Sequence, residues 1–160
     1  MPTAAIITAS SRASQGLYED VSGDILAEGL KKLGFTISSK VIVPDSVSHI
    51  GDEISKAIDS KIDLIVTTGG TGISPTDVTP EATTPLIQKP LPGINEALRA
   101  YSREKVPTSD LSRGLAGTAE HSIIINLPGS PGGVRDGLVI IERIAMHAIS
   151  QLAGEDHKQP

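Results

Sequence analysis

Ile62-Asp63-Leu64-Ile65-Val66-Thr67-Thr68-Gly69-Gly70-Thr71-Gly72 is the stretch on which the fold turns. Its first seven residues are mostly apolar and β-branched and do not alternate with polar ones. Such a run suits a strand buried on both faces, as in a parallel sheet covered by helices on both sides. Three glycines in four positions then follow at once, so the strand empties into a loop whose backbone can approach a ligand closely.

Outward from this strand, short β-branched runs alternate with helical stretches. Ala4–Ala9 reads as a first strand ending in the polar loop Ser10–Gly16. Val21, Ile25, Leu26, Leu30 and Leu33 recur at helical spacing, which predicts a helix over Asp20–Leu33 stopped by Gly34. Phe35–Val43 is a second strand closed by Pro44-Asp45. A second helix is expected over Val47–Ser60, with Ile50, Ile54, Ala57 and Ile58 on one face. Beyond the glycine loop come a helix over Pro92–Glu104, a weaker strand at Ala116–His121, an apolar strand at Ile123–Leu127 and a final helix over Val134–Leu152. Strand–helix alternation predicts an α/β fold with a mostly parallel sheet and helices on both faces. Residues 1–153 are expected to form one domain, and 154–160 a polar, frayed tail.

In a parallel sheet, every strand's C-terminal end points to the same edge, and ligands bind there. The segments following the four strong strands are Ser10–Gly16, Pro44–Ser46, Gly69–Asp77 and Pro128–Gly133. They are rich in Gly, Ser, Thr, Pro and Asp, and the fold brings them to one site.

Composition excludes several classes of function. The 160 residues carry a net charge of −5, so nucleic acid and anionic membranes are not expected partners. Phe35, Tyr18 and Tyr101 are the only aromatic residues, too few for a base-stacking platform. Cysteine is absent, which removes disulfides, zinc–thiolate sites and thiol nucleophiles. His49, His121, His147 and His157 show no metal-ligand spacing. No apolar run approaches the roughly 20 residues of a membrane span, and Met-Pro-Thr-Ala-Ala-Ile-Ile lacks a basic leader. The expected location is the cytoplasm.

The glycine loop continues as Ile73-Ser74-Pro75-Thr76-Asp77-Val78-Thr79-Pro80-Glu81-Ala82. Thr68 and Thr71 add hydroxyls to the amides of Gly69, Gly70 and Gly72, and Asp77 adds a carboxylate. Thr79-Pro80-Glu81 reads as a helix start with Thr79 as N-cap. It is neither a Walker A loop nor a Gly-x-Gly-x-x-Gly turn. A bare glycine cluster is more often an ordinary strand-to-helix connection; Asp77 and the other loops weigh the other way. Asp45 also follows a strand end, although Pro-Asp-Ser is favourable turn chemistry in its own right. Two carboxylates facing a phosphate repel it unless a divalent cation lies between, and Mg²⁺ is commonly held by one or two carboxylates plus substrate phosphates. Pro128-Gly129-Ser130-Pro131-Gly132-Gly133 is a second candidate anion loop or a stiff connection. Arg12 and Arg113 are candidate phosphate ligands, or solvated surface arginines.

Gly69-Gly70-Thr71-Gly72 with Asp77 and Thr79-Pro80-Glu81-Ala82 resembles the signature of the molybdenum-cofactor biosynthesis (MogA/MoaB-type) family. Nine fixed residues at about 5–7% each coincide by chance on the order of 10⁻¹¹ per site. Ser10–Gly16 with Tyr18, Asp20 and Ser22-Gly23, Leu111-Ser112-Arg113 and Asn126–Pro131 agree, so the resemblance runs from about Ala5 to Leu152. It is greatest to the molybdopterin adenylyltransferase branch. The resemblance implies a three-layer α/β/α sandwich, a homotrimer, and ATP–Mg²⁺ and molybdopterin as ligands. It implies AMP transfer to the pterin's terminal phosphate and a molybdate insertase as a further partner. It places the catalytic, metal-binding carboxylates at Asp45 and Asp77. Substrate contacts are expected from Ser10, Arg12, Thr68–Gly72, Ser112, Arg113 and Pro128–Ser130. Many adenylyltransferases have Ser-Asp-Arg where this chain has Ser10-Ser11-Arg12, and related sequences have Ser-Thr-Arg. A non-catalytic MoaB-like pterin-binding or scaffold protein therefore stays open, as does a nucleotide-pyrophosphate hydrolase on the same domain.

Overall fold

Each central strand has two apolar faces, and both must be covered. The computed structural model describes residues 1–155, so the expectations for 156–160, His157 included, lie outside the described residues. The chain runs β1 (Thr3–Ala9), α1 (Ser11–Ser14), α2 (Val21–Lys32), β2 (Thr36–Val43), α3 (Val47–Asp59), β3 (Leu64–Thr68) and α4 (Thr79–Thr83). It continues through β4 (Lys89–Pro90), α5 (Pro92–Arg103), β5 (Ala116–Ala119), β6 (Ser122–Leu127) and α6 (Pro131–Leu152). Short 3-10 turns lie at Thr84–Leu86 and Pro107–Leu111.

The strands form one six-stranded sheet in the order β2-β1-β3-β6-β5-β4. The β2-β1-β3-β6 pairs are parallel, and β5 is antiparallel to both β6 and β4. Alternate strand residues feed two cores. Ala4, Ile6, Leu64, Val66, Ile123, Ile125 and Leu127 pack against Leu26 and Leu30 of α2, Leu98 of α5, and Val134, Ile140, Ile141 and Ala145 of α6. Ala5, Ile7, Ile65 and Ile124 pack on the other side against Ile50, Ile54 and Ala57 of α3 and Ala82 of α4. The result is a three-layer α/β/α sandwich. Fully burying each Ile or Leu contributes about 1.5–3 kcal/mol, and Ile6, Ile7, Leu64, Ile65, Ile123, Ile124, Ile125 and Leu127 of the central strands are all buried. No helix among the described residues is long and apolar enough to cross a membrane.

The register levels the strand ends. Ala9 pairs with Val43, Thr8 with Thr68, and Thr68 with Leu127. Chain order reverses at β1, which lies between β2 and β3, and ligand crevices of open α/β sheets form at this switch point. The glycine turn is built here by close backbone approach. Gly69 has φ +94° and Gly70 φ +68°. A Cβ on Gly69 would stand 2.4 Å from the Ala9 carbonyl oxygen, and one on Gly70 would stand 2.3 Å from Thr79 Oγ1.

Several elements differ from the sequence expectation. Ser11–Ser14 is a helical turn rather than loop, because Ser10 accepts a capping bond from Ala13 N. α6 starts at Pro131, three residues earlier than expected, because Ser130 caps it through Gly133 N. Thr79 is not the N-cap of α4: Val78 occupies that position, and Thr79 Oγ1 donates to Gly69 O at 2.9 Å. Val21 opens α2 but stays exposed. Gly154, with φ +76°, closes α6 through an N–H bond to Gln151 O.

We predict that Gly69→Ala lowers the unfolding free energy by at least about 2 kcal/mol, from left-handed backbone strain plus the clash with Ala9. Gly16→Ala, at φ +75° with open space around its Cβ position, should cost only about 1 kcal/mol. Urea denaturation of both variants checks the contrast.

Candidate functional site

Two cavities open at the C-terminal edge of the sheet. The first, about 650 Å³, lies between the glycine loop, the Pro107–Leu111 turn and the start of α6. The second, about 420 Å³, lies over the ends of β1 and β3. Gly70, Asp77 and Gly129 line both.

Asp45 and Asp77 both line the second cavity. Asp45 sits at the centre of a three-residue turn closed by Ser46 N donating to Pro44 O at 2.8 Å. Its Oδ2 accepts from Ser11 N and Ser11 Oγ, each at 3.1 Å. Asp77 Oδ2 accepts from Ser74 N at 3.1 Å. A Cβ on Gly72 would come within 2.7 Å of that oxygen, so glycine leaves room for the carboxylate.

Not every amide of the glycine loop is available to a ligand. Gly69 N donates to Leu127 O at 3.1 Å, so Gly69 is a structural residue of the turn. The amides of Gly70, Thr71 and Gly72 donate to no acceptor among the described residues. Thr68 lines the second cavity, but its hydroxyl donates to Pro128 O at 2.8 Å. Thr71, Ser112, Pro128 and Ser130 line the first cavity, and Ser10 lines the second. Ser130 Oγ accepts from Gly133 N at 3.0 Å, which leaves its O–H as a donor. Gly129 O accepts from Ser22 Oγ at 2.8 Å, fixing the wall that the cavities share.

The two arginines have local duties. Arg113 Nε donates to Gly72 O at 2.8 Å, Nη2 donates to Asp77 O at 2.9 Å, and Nη1 pairs with Glu81. Its backbone N donates to Thr71 O at 2.7 Å. Arg113, expected as a phosphate ligand, also ties both ends of the glycine loop together. The hydrogen bond from Arg113 holds Glu81 below the usual carboxylate range, and the same bond raises Arg113. Arg12 lines neither cavity; it stacks 5.6 Å from the ring centre of Tyr18, which lines the second.

Sequence reasoning missed three contributors. Asp20 lines the second cavity, accepts from Thr8 Oγ1 at 2.9 Å and caps α2 through Gly23 N at 3.0 Å. Its N-cap position ahead of a helical pattern was the available signal. Asp136 and Lys105 line the first cavity, joined at 2.6 Å, with Ser102 Oγ donating to Asp136 at 2.7 Å. The bond to Asp136 raises the Lys105 ammonium. The pair is separated by 31 positions and carries no local signal.

A family model described as "probable molybdopterin binding domain" matches residues 5–147. A Helicobacter pylori protein named molybdopterin adenylyltransferase is 38% identical over 154 residues, covering 93% of this chain and 86% of that protein. The solved molybdopterin biosynthesis Mog protein of Mycobacterium ulcerans superposes with a TM-score of 0.90 at 47% identity, covering 95% of this chain and 99% of the other. The molybdopterin biosynthesis enzyme MoaB of Thermus thermophilus superposes at 0.91 with 36% identity, over 99% and 100% of the two chains.

Removing that tie is expected to loosen the loop: Arg113→Ala should accelerate hydrogen exchange at 70–77 without unfolding the sheet. The Arg113–Glu81 pair is solvent-exposed, so water screens it and its contribution is small. Because Glu81 is lowered in the folded state, this contribution is present above the ordinary Glu range near 4.3 and is lost as pH falls through the lowered value. The stability gap between the chain and Glu81→Gln should therefore be widest at neutral pH and close in acid, as read by denaturation at each pH.

Proposed function

This chain belongs to the molybdopterin-binding domain family, and from that premise we propose that it is a molybdopterin adenylyltransferase of molybdenum cofactor biosynthesis. The observation that supports this reading best is the pair of cavities meeting at Gly70, Asp77 and Gly129. A group transfer between two phosphorylated substrates needs two binding spaces that share one reacting centre. A terminal phosphate oxygen of molybdopterin attacks the α-phosphorus of ATP. The bond from that phosphorus to the bridging oxygen breaks, and pyrophosphate leaves. Phosphate is already anionic at neutral pH, so no protein nucleophile is needed, and catalysis rests on positioning and charge stabilisation.

The free amides of Gly70–Gly72 and the O–H of Ser130 offer donors to phosphate oxygens on either side of the shared wall. Asp45 and Asp77 supply the acidic side of the second cavity. No group of three or more acidic or histidine side chains able to hold a metal ion exists among the described residues. Asp45 and Asp77 in one cavity, without a full protein cage, suit Mg²⁺ arriving with a triphosphate. When bound, Mg²⁺ neutralises triphosphate charge; Asp45 and Asp77 are the residues that would hold it, directly or through water. Assembly as a homotrimer, contact with a molybdate insertase, action of residues 1–153 as one unit and a cytoplasmic location belong to the same proposal.

Incubation with ATP, Mg²⁺ and molybdopterin should release pyrophosphate and yield the adenylylated pterin. Pterin binding without product would identify a binding protein, and ATP cleavage without pterin a hydrolase. Asp77→Ala should keep folding and pterin binding while adenylylation falls at least about 10²-fold; wild-type turnover in that variant would remove Asp77 from the mechanism.

A further inference from the structure

We propose that Ser11 is a positioning residue for Asp45, fixing one carboxylate oxygen so that the other is presented to the metal-bound triphosphate; this rests on the adenylyltransferase reading. The contact is reciprocal. Ser11 N and Ser11 Oγ both donate to Asp45 Oδ2 at 3.1 Å, and Asp45 N donates back to Ser11 Oγ at 3.0 Å. One hydroxyl can do both, because it carries one proton and two acceptor lone pairs. All three bonds are satisfied together, and they fix the side chain and the backbone of Asp45 at once.

The lock is anchored on the Ser11 side. Ser10 N donates to Val43 O at 2.9 Å, holding α1 against the end of β2, and Ser10 Oγ accepts from Ala13 N at 3.1 Å to cap the turn. On the other side, the tight turn at Pro44–Ser46 leaves the Asp45 side chain to rotate among its staggered rotamers unless something holds it. Asp45 Oδ1 accepts no hydrogen bond among the described residues, while Asp45 lines the second cavity. Ser11 is not part of that cavity's wall, so it acts through Asp45. Of this pair, the Ser11 hydroxyl supplies orientation and Asp45 supplies charge.

The test reads Mn²⁺–ATP binding by the loss of the free-Mn²⁺ electron paramagnetic resonance signal, with no pterin and no turnover. Ser11→Ala, shown folded by its thermal transition, should weaken Mn²⁺–ATP about tenfold, the scale of one lost hydrogen bond to a charged group. Ser11→Thr keeps the hydroxyl and should restore affinity to within about twofold. Ser11→Ala should add little to Asp45→Asn, because Ser11 acts only through that carboxylate. Unchanged affinity in Ser11→Ala, equal weakness of the Ala and Thr variants, or no Mn²⁺–ATP binding by the unaltered chain would each overturn the assignment. A chain that binds Mn²⁺–ATP with this Ser11 dependence but makes no adenylylated pterin would sink the adenylyltransferase reading and leave the positioning role standing.

Discussion

Backbone meets backbone at Gly69. A Cβ there would lie 2.4 Å from the Ala9 carbonyl oxygen, and one on Gly129 would lie 3.2 Å from Gly69 Cα. The ends of β1, β3 and β6 converge on this point only because two glycines carry no side chain. Gly69 N closes the junction on Leu127 O, and Thr79 Oγ1 closes it on Gly69 O. With the junction set, the chain from 70 to 77 emerges as the ridge between the two cavities. Arg113 then braces that ridge at Gly72 O and Asp77 O.

The same junction resolves an electrostatic conflict. Asp20, Asp45 and Asp77 line the second cavity, which by charge alone would repel a nucleotide. Opposing them are the unengaged amides of Gly70–Gly72 and the N-terminus of the 22-residue α6, whose aligned peptide dipoles favour anions. A divalent cation on the acidic side and backbone donors on the other would let a phosphate chain lie between. In the first cavity Lys105 is paired with Asp136, and Arg135 adds positive charge on the far side of the ridge.

Central features were legible in the sequence because they are local. The apolar runs at 64–66 and 123–125 declare strands buried on both faces, and the glycine cluster follows the first of these strands directly. Asp45 and Asp77 could be placed at one edge because strand direction alone sends both there. What stayed hidden depends on partners distant in sequence. Arg113 reads as a surface arginine until the fold brings it to acceptors 32 to 41 positions away. Thr79 looks like a helix cap because Thr-Pro-Glu is favourable capping chemistry; in the fold Val78 takes the cap position and the Thr79 hydroxyl donates to Gly69 O. The antiparallel β5 is a short run that a parallel reading absorbs, and the turn at Glu120, with φ +51°, reverses it. β4, two residues long, has no pattern to read.

The central claim is that the carboxylates at 45 and 77 and the amides of 70–72 face one space occupied by a metal-bound triphosphate. Anomalous diffraction from crystals soaked with Mn²⁺ and a non-hydrolysable ATP analogue tests it most directly. The account predicts a manganese peak beside the Asp45 and Asp77 carboxylates, with phosphate density against Gly70–Gly72. A triphosphate bound elsewhere, or manganese touching neither aspartate, would contradict it.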